Sequence, residues 1–247
     1  MVKADHFEQQ KLLALADEDV ALTQLAHRRR TLPEVAAVEA ATEAERTFAE
    51  AVVRAETEVS DLDREQKRLE ADVDTVAQRA ARDQSRIDSG AATPKEITSL
   101  QSELQSLARR QSDLEDQVLE LMERRETADA ALVAAQEGCA SAVADRERAE
   151  QLRDDALADI ADSTARHEAA RAEVAAGVSD PLLTLYDRIR TQTGTTGAAV
   201  LKARQCQGCR IELNGRELAA VRNADPHEVV RCENCGRILV RTAESGL

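Results

Sequence analysis

The chain has 247 residues and 26.9 kDa, with no Trp, one Tyr, two Phe, nine Gly, four Pro and 32% charged side chains. So few bulky side chains exclude a large enzyme core, and scarce Gly and Pro beside regularly spaced apolar residues point to long helices rather than disorder. The formal charge of −14 repels nucleic acid and anionic membranes over most of the surface, although residues 178–247 hold 10 basic against 8 acidic side chains. Met1 to Gln10 is polar, and no apolar run approaches the ~18 residues of a membrane span. The chain therefore reads as cytoplasmic, with no membrane contact.

Residues 5–30, with Leu12, Leu15, Leu22 and Leu25, predict a separate first helix, because Pro33 removes a ladder bond and clashes with the preceding turn. This helix is expected to pack on residues 146–176. From Val38 to Ile87 apolar residues recur at alternating steps of three and four, including Phe48, Val52, Val59, Leu62, Leu69 and Val76. A second such run extends from Ile97 to Ala142 through Leu100, Leu107, Leu114, Leu121 and Leu132. Each is a heptad seam.

Between the seams lies Asp88-Ser-Gly-Ala-Ala-Thr-Pro-Lys-Glu96, a helix stop followed by a helix start. Gly90 suits a left-handed C′ position, Thr93 an N-cap, Pro94 the first helical position and Glu96 the far side of a capping box. So short a break, with its tip at 88–95, makes the helices antiparallel. About fifty residues of seam reach roughly 75 Å. Two registers satisfy the heptads: Cys139 faces Ala41 in one and Phe48 in the other. Glu45, Gln66, Asp83, Gln111 and Arg125 interrupt the seam and either fix register or fray.

After Gly177, Ser179 or Asp180 can cap a short helix opened at Pro181 that carries Leu182, Leu185, Tyr186 and Ile189 on one face. Thr191 to Gly197 reads as a polar linker. Short β-type runs follow at 198–201, 211–213, 229–231 and 237–240. Asn214-Gly215 reads as a tight turn before a helix over 217–222.

Within this tail Cys206-Gln-Gly-Cys209 and Cys232-Glu-Asn-Cys235 form two Cys-x-x-Cys pairs. Two such pairs at this separation can grip opposite edges of one tetrahedral ion, and thiolate ligands suit Zn²⁺. Gly208 and Gly236 permit the backbone approach through which amides bond the sulfurs. A module of about forty residues buries too little apolar surface to fold unaided, so one structural zinc is expected to hold it. Four thiolates leave no position for a water nucleophile. A redox dithiol would need a βαβ setting, and disulfides do not suit a reducing compartment. His227 reads as a loop histidine and Cys139 as a seam residue.

The order of parts resembles bacterial C4-type zinc-ribbon proteins with a long N-terminal coiled-coil hairpin. The resemblance rests on Leu32-Pro-Glu34, Ser89-Gly90 with Thr93-Pro-Lys-Glu96, Ser112-Asp-Leu-Glu-Asp116 with Glu120-Leu-Met-Glu123, Leu185-Tyr-Asp-Arg188, and above all Cys232-Glu-Asn-Cys-Gly-Arg-Ile-Leu239. It implies the ligand set Cys206, Cys209, Cys232 and Cys235. In flagellated or type III-secreting bacteria such proteins look like adaptors for an alternative sigma factor, secretion components or a transcript, and nothing in this chain indicates the same partners.

The expected fold is mainly α, a long antiparallel coiled-coil hairpin plus a small C-terminal β zinc ribbon. The expected domains are a helical hairpin over 1–177, a connecting helix and linker over 178–197, and the C4 zinc ribbon over 198–247. No phosphate loop, nucleophile elbow or catalytic histidine spacing is present, so the chain reads as a non-enzymatic, zinc-binding adaptor for protein partners, with no small-molecule substrate. The alternative is a nucleic-acid-binding ribbon using Lys202, Arg204, Arg210, Arg216, Arg222, Arg231, Arg237 and Arg241. Against it stand interleaved acids and missing stacking aromatics. A third reading places an acidic hairpin tip, with Asp83, Asp88 and Glu96, inside RNA polymerase.

Overall fold

Prolines and glycines set the helix boundaries in the computed structural model, which describes residues 2–247. Helix α1, His6–Arg30, starts where the Asp5 side chain accepts a 2.7 Å bond from Phe7 N. Pro33 opens α2, Pro33–Asp88, and Pro94 opens α3, Pro94–Ala176. At the tip Gly90 takes φ +67. Glu96 accepts from Thr93 N at 2.8 Å and from Thr93 Oγ1 at 2.7 Å, completing the capping box. These bonds hold the Glu96 carboxyl below its ordinary pKa, so this tip carboxylate is occupied as a cap. The fold is mainly α, with two compact units: Val35–Gln151, and Met1–Glu34 with Leu152–Leu247. Residues 1–177 thus contribute to both.

The first unit is the hairpin. Leu62 and Leu69 of α2 are buried with Leu114, Leu121 and Ala128 of α3, and Val59, Val73, Val76 and Val118 pack around them. These are the predicted seam positions, brought together because i, i+3, i+4 spacing places them on one face of each helix. The Phe48 ring covers Gly138, where an added Cβ would meet it at 2.6 Å. Gly138 adjoins Cys139, which agrees with the register that places Cys139 near Phe48. Two polar seam residues cross between the helices: Glu45 pairs with Arg146, and Arg125 with Asp63, each at 2.5 Å. Gln66 and Gln111 instead turn along their own helices to Glu70 and Glu115.

The second unit is built around a three-stranded sheet. Strand β1, Ala198–Lys202, lies between β2, Gln205–Cys206, and β3, Ile238–Val240. β1 pairs antiparallel with β2 and parallel with β3, with Ala198 opposite Ile238 and Val200 opposite Val240. Residues 211–213 and 229–231 contribute only isolated bridges, Gln205 with Glu212 and Arg231 with Ile238, rather than the predicted strands. Asn214-Gly215 is a helix start and not a tight turn: Asn214 caps α5, Gly215–Asn223, and shares a capping box with Glu217. Helix α4, Asp180–Thr193, runs three residues into the predicted linker before Gly194, at φ +71, ends it. Ser179 is its N-cap residue, but its hydroxyl donates to Glu8 instead.

Successive strand residues point to opposite faces. On one face Ala198, Ile238 and Val240 join Leu12, Leu15, Leu182, Tyr186 and Ile189 in a single core. Helix α1 therefore packs on the sheet and α4 as well as on α3, where Glu18 meets His167 at 2.7 Å and Lys11 donates to Gly177 O at 2.9 Å. This destination is wider than the sequence reading allowed. The segment over residues 2–4 joins too, as Ala4 N donates to His227 O.

Asp19 sits inside this core with no exposed surface. Its carboxylate accepts from Tyr186 OH and Arg171 Nε, both at 2.7 Å, and meets Arg190 Nε at 3.0 Å. Arg171 also reaches Asp187. Burial, then the bond to Asp19, push the Tyr186 phenol far above its ordinary range, so it stays a neutral donor. Asp19→Ala strips the acceptor from two guanidinium groups and a phenol, and is expected to cost about 3–5 kcal/mol. Urea unfolding followed by the emission of the sole tyrosine tests this, since Tyr186 reports this unit directly. Asp19→Asn keeps an acceptor and is expected to cost less.

Candidate metal centre

The centre grows from two turns of the same shape. Strands β1 and β2 are joined by Ala203 and Arg204, both left-handed at φ 46 and 68, the conformation of a two-residue type I′ hairpin. Neither residue is Gly, and backbone bonds from Ala203 N to Glu244 O and from Arg204 N to Ser245 O hold the turn. It delivers Cys206 opposite Leu201. Cys206 to Cys209 then curl so that Arg210, at φ 59, donates its N–H to Cys206 O at 2.7 Å. Gly236, at φ 74, does the same to Cys232 O at 2.8 Å after the second pair. Gln205 Nε2 donates to Arg210 O at 2.7 Å and pins the non-glycine copy of the turn.

All four sulfurs lie within 4.8 Å of one another. Cys206 to Cys235 and Cys209 to Cys232 are each 3.8 Å apart. A tetrahedron with Zn–S bonds of ~2.3 Å has edges of ~3.8 Å, whereas a disulfide needs ~2.05 Å. The four sulfurs thus fit one Zn²⁺, and the donor set is that of a closed structural site. Cys206 and Cys232 are buried, and Cys209 and Cys235 half-buried. Around them Ala199, Leu201, Leu213, Val221 and Leu239 form a second core on the other face of the sheet.

Three of the thiols differ in acidity. Burial pushes Cys206 up to about 12 against bonds from the Cys209 and Gly208 amides, and burial likewise raises Cys232. Burial also opposes the Cys235 thiolate, but the Arg237 backbone and guanidinium draw it down to about 7. Arg237, expected as a cation for nucleic acid and as part of the ribbon motif, supports the sulfur site. Its guanidinium donates to Thr196 O and Oγ1 at 3.2 Å and to Thr195 Oγ1 at 2.6 Å. It crosses Gly208 so closely that an added Cβ there would meet Arg237 Cδ at 2.6 Å. The signal for it is the Gly236-Arg237 pair directly after Cys235.

Other ribbon cations are likewise committed. Arg241 donates to the carbonyls of Ala224, Asp225, Pro226 and Glu228 at 2.8–3.0 Å, closing the loop after α5. Arg231 donates to Gly236 O at 2.9 Å, and Lys202 pairs with Glu244 at 3.0 Å. His227 lies outside the sulfur cluster, and Cys139 lies in the hairpin unit.

A sequence profile of the CT398-like coiled-coil hairpin domain matches residues 15–194, and one of the C4-type zinc ribbon domain matches residues 205–239. The chain belongs to the CT398-like coiled-coil hairpin family. It is 38% identical to a protein of Mycobacterium tuberculosis over 97% of this chain and 98% of the relative. A solved structure from Mycobacterium smegmatis superposes with a TM-score of 0.83 at 32% identity, covering 98% of this chain and 100% of the other. CT398 from Chlamydia trachomatis shares the fold at a TM-score of 0.64 and 18% identity, covering 96% and 98% of the two chains.

Zinc binding must displace protons from Cys206 and Cys232, whose thiols burial holds protonated, so affinity falls as pH is lowered. One zinc per chain is expected by elemental analysis. Its release into a chromogenic chelator is expected to steepen on acidification and to become complete on lowering pH at fixed chelator concentration. Cys232→Ser is expected to lose the ion and expose the second core to dye binding, while far-UV circular dichroism of the long helices changes little.

Proposed function

We propose that this protein is a non-enzymatic adaptor, whose hairpin engages protein partners while the zinc ribbon holds its own unit in shape. The observation that carries this reading is the closed sulfur tetrahedron. Every ligand position is taken by a cysteine, so zinc can fold the ribbon but offers no site for a substrate or an activated water. The acidic hairpin presents large apolar side chains, among them Val53, Leu119 and Val133, that a two-helix seam leaves exposed. None of the five cysteines is joined in a disulfide, which suits a reducing cytoplasm. No helix among the described residues is long and apolar enough to cross a membrane.

The ribbon's cations give nucleic acid little to hold. Of the eight that could line such a surface, Arg231, Arg241 and Lys202 bond within the ribbon and Arg237 bonds to Thr195 of the linker before it. Four thiolates around Zn²⁺ add negative charge beside the rest.

Affinity capture with the zinc-loaded full chain tests the proposal. It is expected to retain proteins that resist nuclease treatment, and the same chain is expected to leave RNA and DNA unshifted on low-salt gels. Nuclease-sensitive retention with a salt-dependent shift would assign the ribbon to nucleic acid instead, and turnover of a substrate would end the adaptor reading.

A further inference from the structure

One stretch of the hairpin combines an open apolar groove with a rim of carboxylates that form no ion pair among the described residues. The groove, of about 510 Å³, lies between α2 and α3; Val73, Ala77, Val118 and Leu119 form its apolar surface, and Glu70, Asp74 and Glu115 its rim. Leu119 is 60% exposed, and Met122, one turn further on, 43%. Residues 69–78 and 111–123 hold eight Asp and Glu and no Lys or Arg. The unit Val35–Gln151 has a net charge of −12, so about a fifth of its length carries two thirds of that charge.

The rim carboxylates are held by amides, whereas several other hairpin carboxylates are held by arginines. Elsewhere Glu43, Glu45, Asp63 and Glu103 each face an arginine. Here Glu70 accepts from Gln66 at 2.7 Å, Asp74 from Gln78 at 2.7 Å and Glu115 from Gln111 at 2.8 Å. Neutral amides orient these carboxylates without cancelling their charge. No rim carboxylate has an ion pair among the described residues.

We propose that this groove docks an amphipathic helix of a protein partner, with an apolar stripe at i, i+3/i+4 and i+7 flanked by Lys or Arg. The proposal rests on the adaptor reading and specifies the chemistry of the partner. An apolar stripe covers Leu119 and Val73 as a third strand covers a two-helix seam. Seating it also removes water from three carboxylates, which is costly unless the incoming helix supplies cations. A second copy of this hairpin would bring the same acids against themselves, and a polyanion is repelled.

The test uses the zinc-loaded full chain and a fluorescein-labelled, 18-residue helical peptide with a Leu stripe between Lys rows, followed by anisotropy. Saturable binding is expected, weakened at least tenfold both by Leu119→Ser and by the triple change Glu70→Gln, Asp74→Asn, Glu115→Gln. Off the groove, Glu56→Gln, Glu58→Gln, Glu137→Gln together are expected to stay within twofold. Circular dichroism melting guards against unfolding. Absence of binding, equal binding of a peptide with Ser for Leu or Glu for Lys, or equal weakening by the off-groove changes each overturns the proposal. So does a dimer in sedimentation velocity that Leu119→Ser dissolves. Affinity capture separates the two levels: partners retained equally by the wild type and the groove triple variant leave the adaptor reading standing and remove the groove. A wild type that retains no protein removes the adaptor reading itself.

Discussion

A sheet of strands as short as β1, β2 and β3 has no interior of its own, yet both of its faces are apolar. Ala198, Ile238 and Val240 look one way, while Ala199, Leu201 and Leu239 look the other. Each face must be covered or the strands gain nothing by pairing. The two covers are of different kinds. Helices α1 and α4 close the first through Leu12, Leu15, Leu182 and Tyr186, and the sulfur cluster with Leu213 and Val221 closes the second. Zinc is thus the keystone of one side of the sheet rather than of the ribbon as a whole, and the ribbon is continuous with a helical core rather than appended to it.

The hairpin meets the opposite difficulty. Two helices have enough length but too little thickness, so the seam is buried fully only at Leu62, Leu69, Leu114, Leu121, Ala128 and a few further positions. Register then depends on specific features rather than bulk packing. Phe48 over Gly138 is one, and the cross-helix pairs of Glu45 with Arg146 and Asp63 with Arg125 are others. These pairs are partly exposed and contribute little energy each, but a slipped register would separate them.

What could be read in the sequence was local. Heptad spacing, the Thr93-Pro94-Glu96 start and the two Cys-x-x-Cys pairs each act within a few residues, and the helices, tip and sulfur cluster follow from them. What escaped was set by distant partners. The destination of α1 depends on strands that begin at Ala198, and Asp19 looks like a surface carboxylate until Tyr186, Arg171 and Arg190 surround it. Thr191 and Thr193 belong to α4 because Gly194, rather than the threonines, ends the helix. Asn214-Gly215 suits a hairpin turn or a helix cap equally well by composition. Glu217, three residues on, decided between them.

The helical core beneath the sheet joins Leu12 and Leu15 to residues from Val178 to Val240. On a ribosome adding ~5–20 residues per second, α1 emerges roughly 10–30 s before its partners. The hairpin, a compact unit over Val35–Gln151, can zip up in that interval. Synthesis order thus leaves α1 with an uncovered oily stripe for most of translation, and a ribosome stalled before Tyr186 would release a finished hairpin attached to a sticky, partnerless helix.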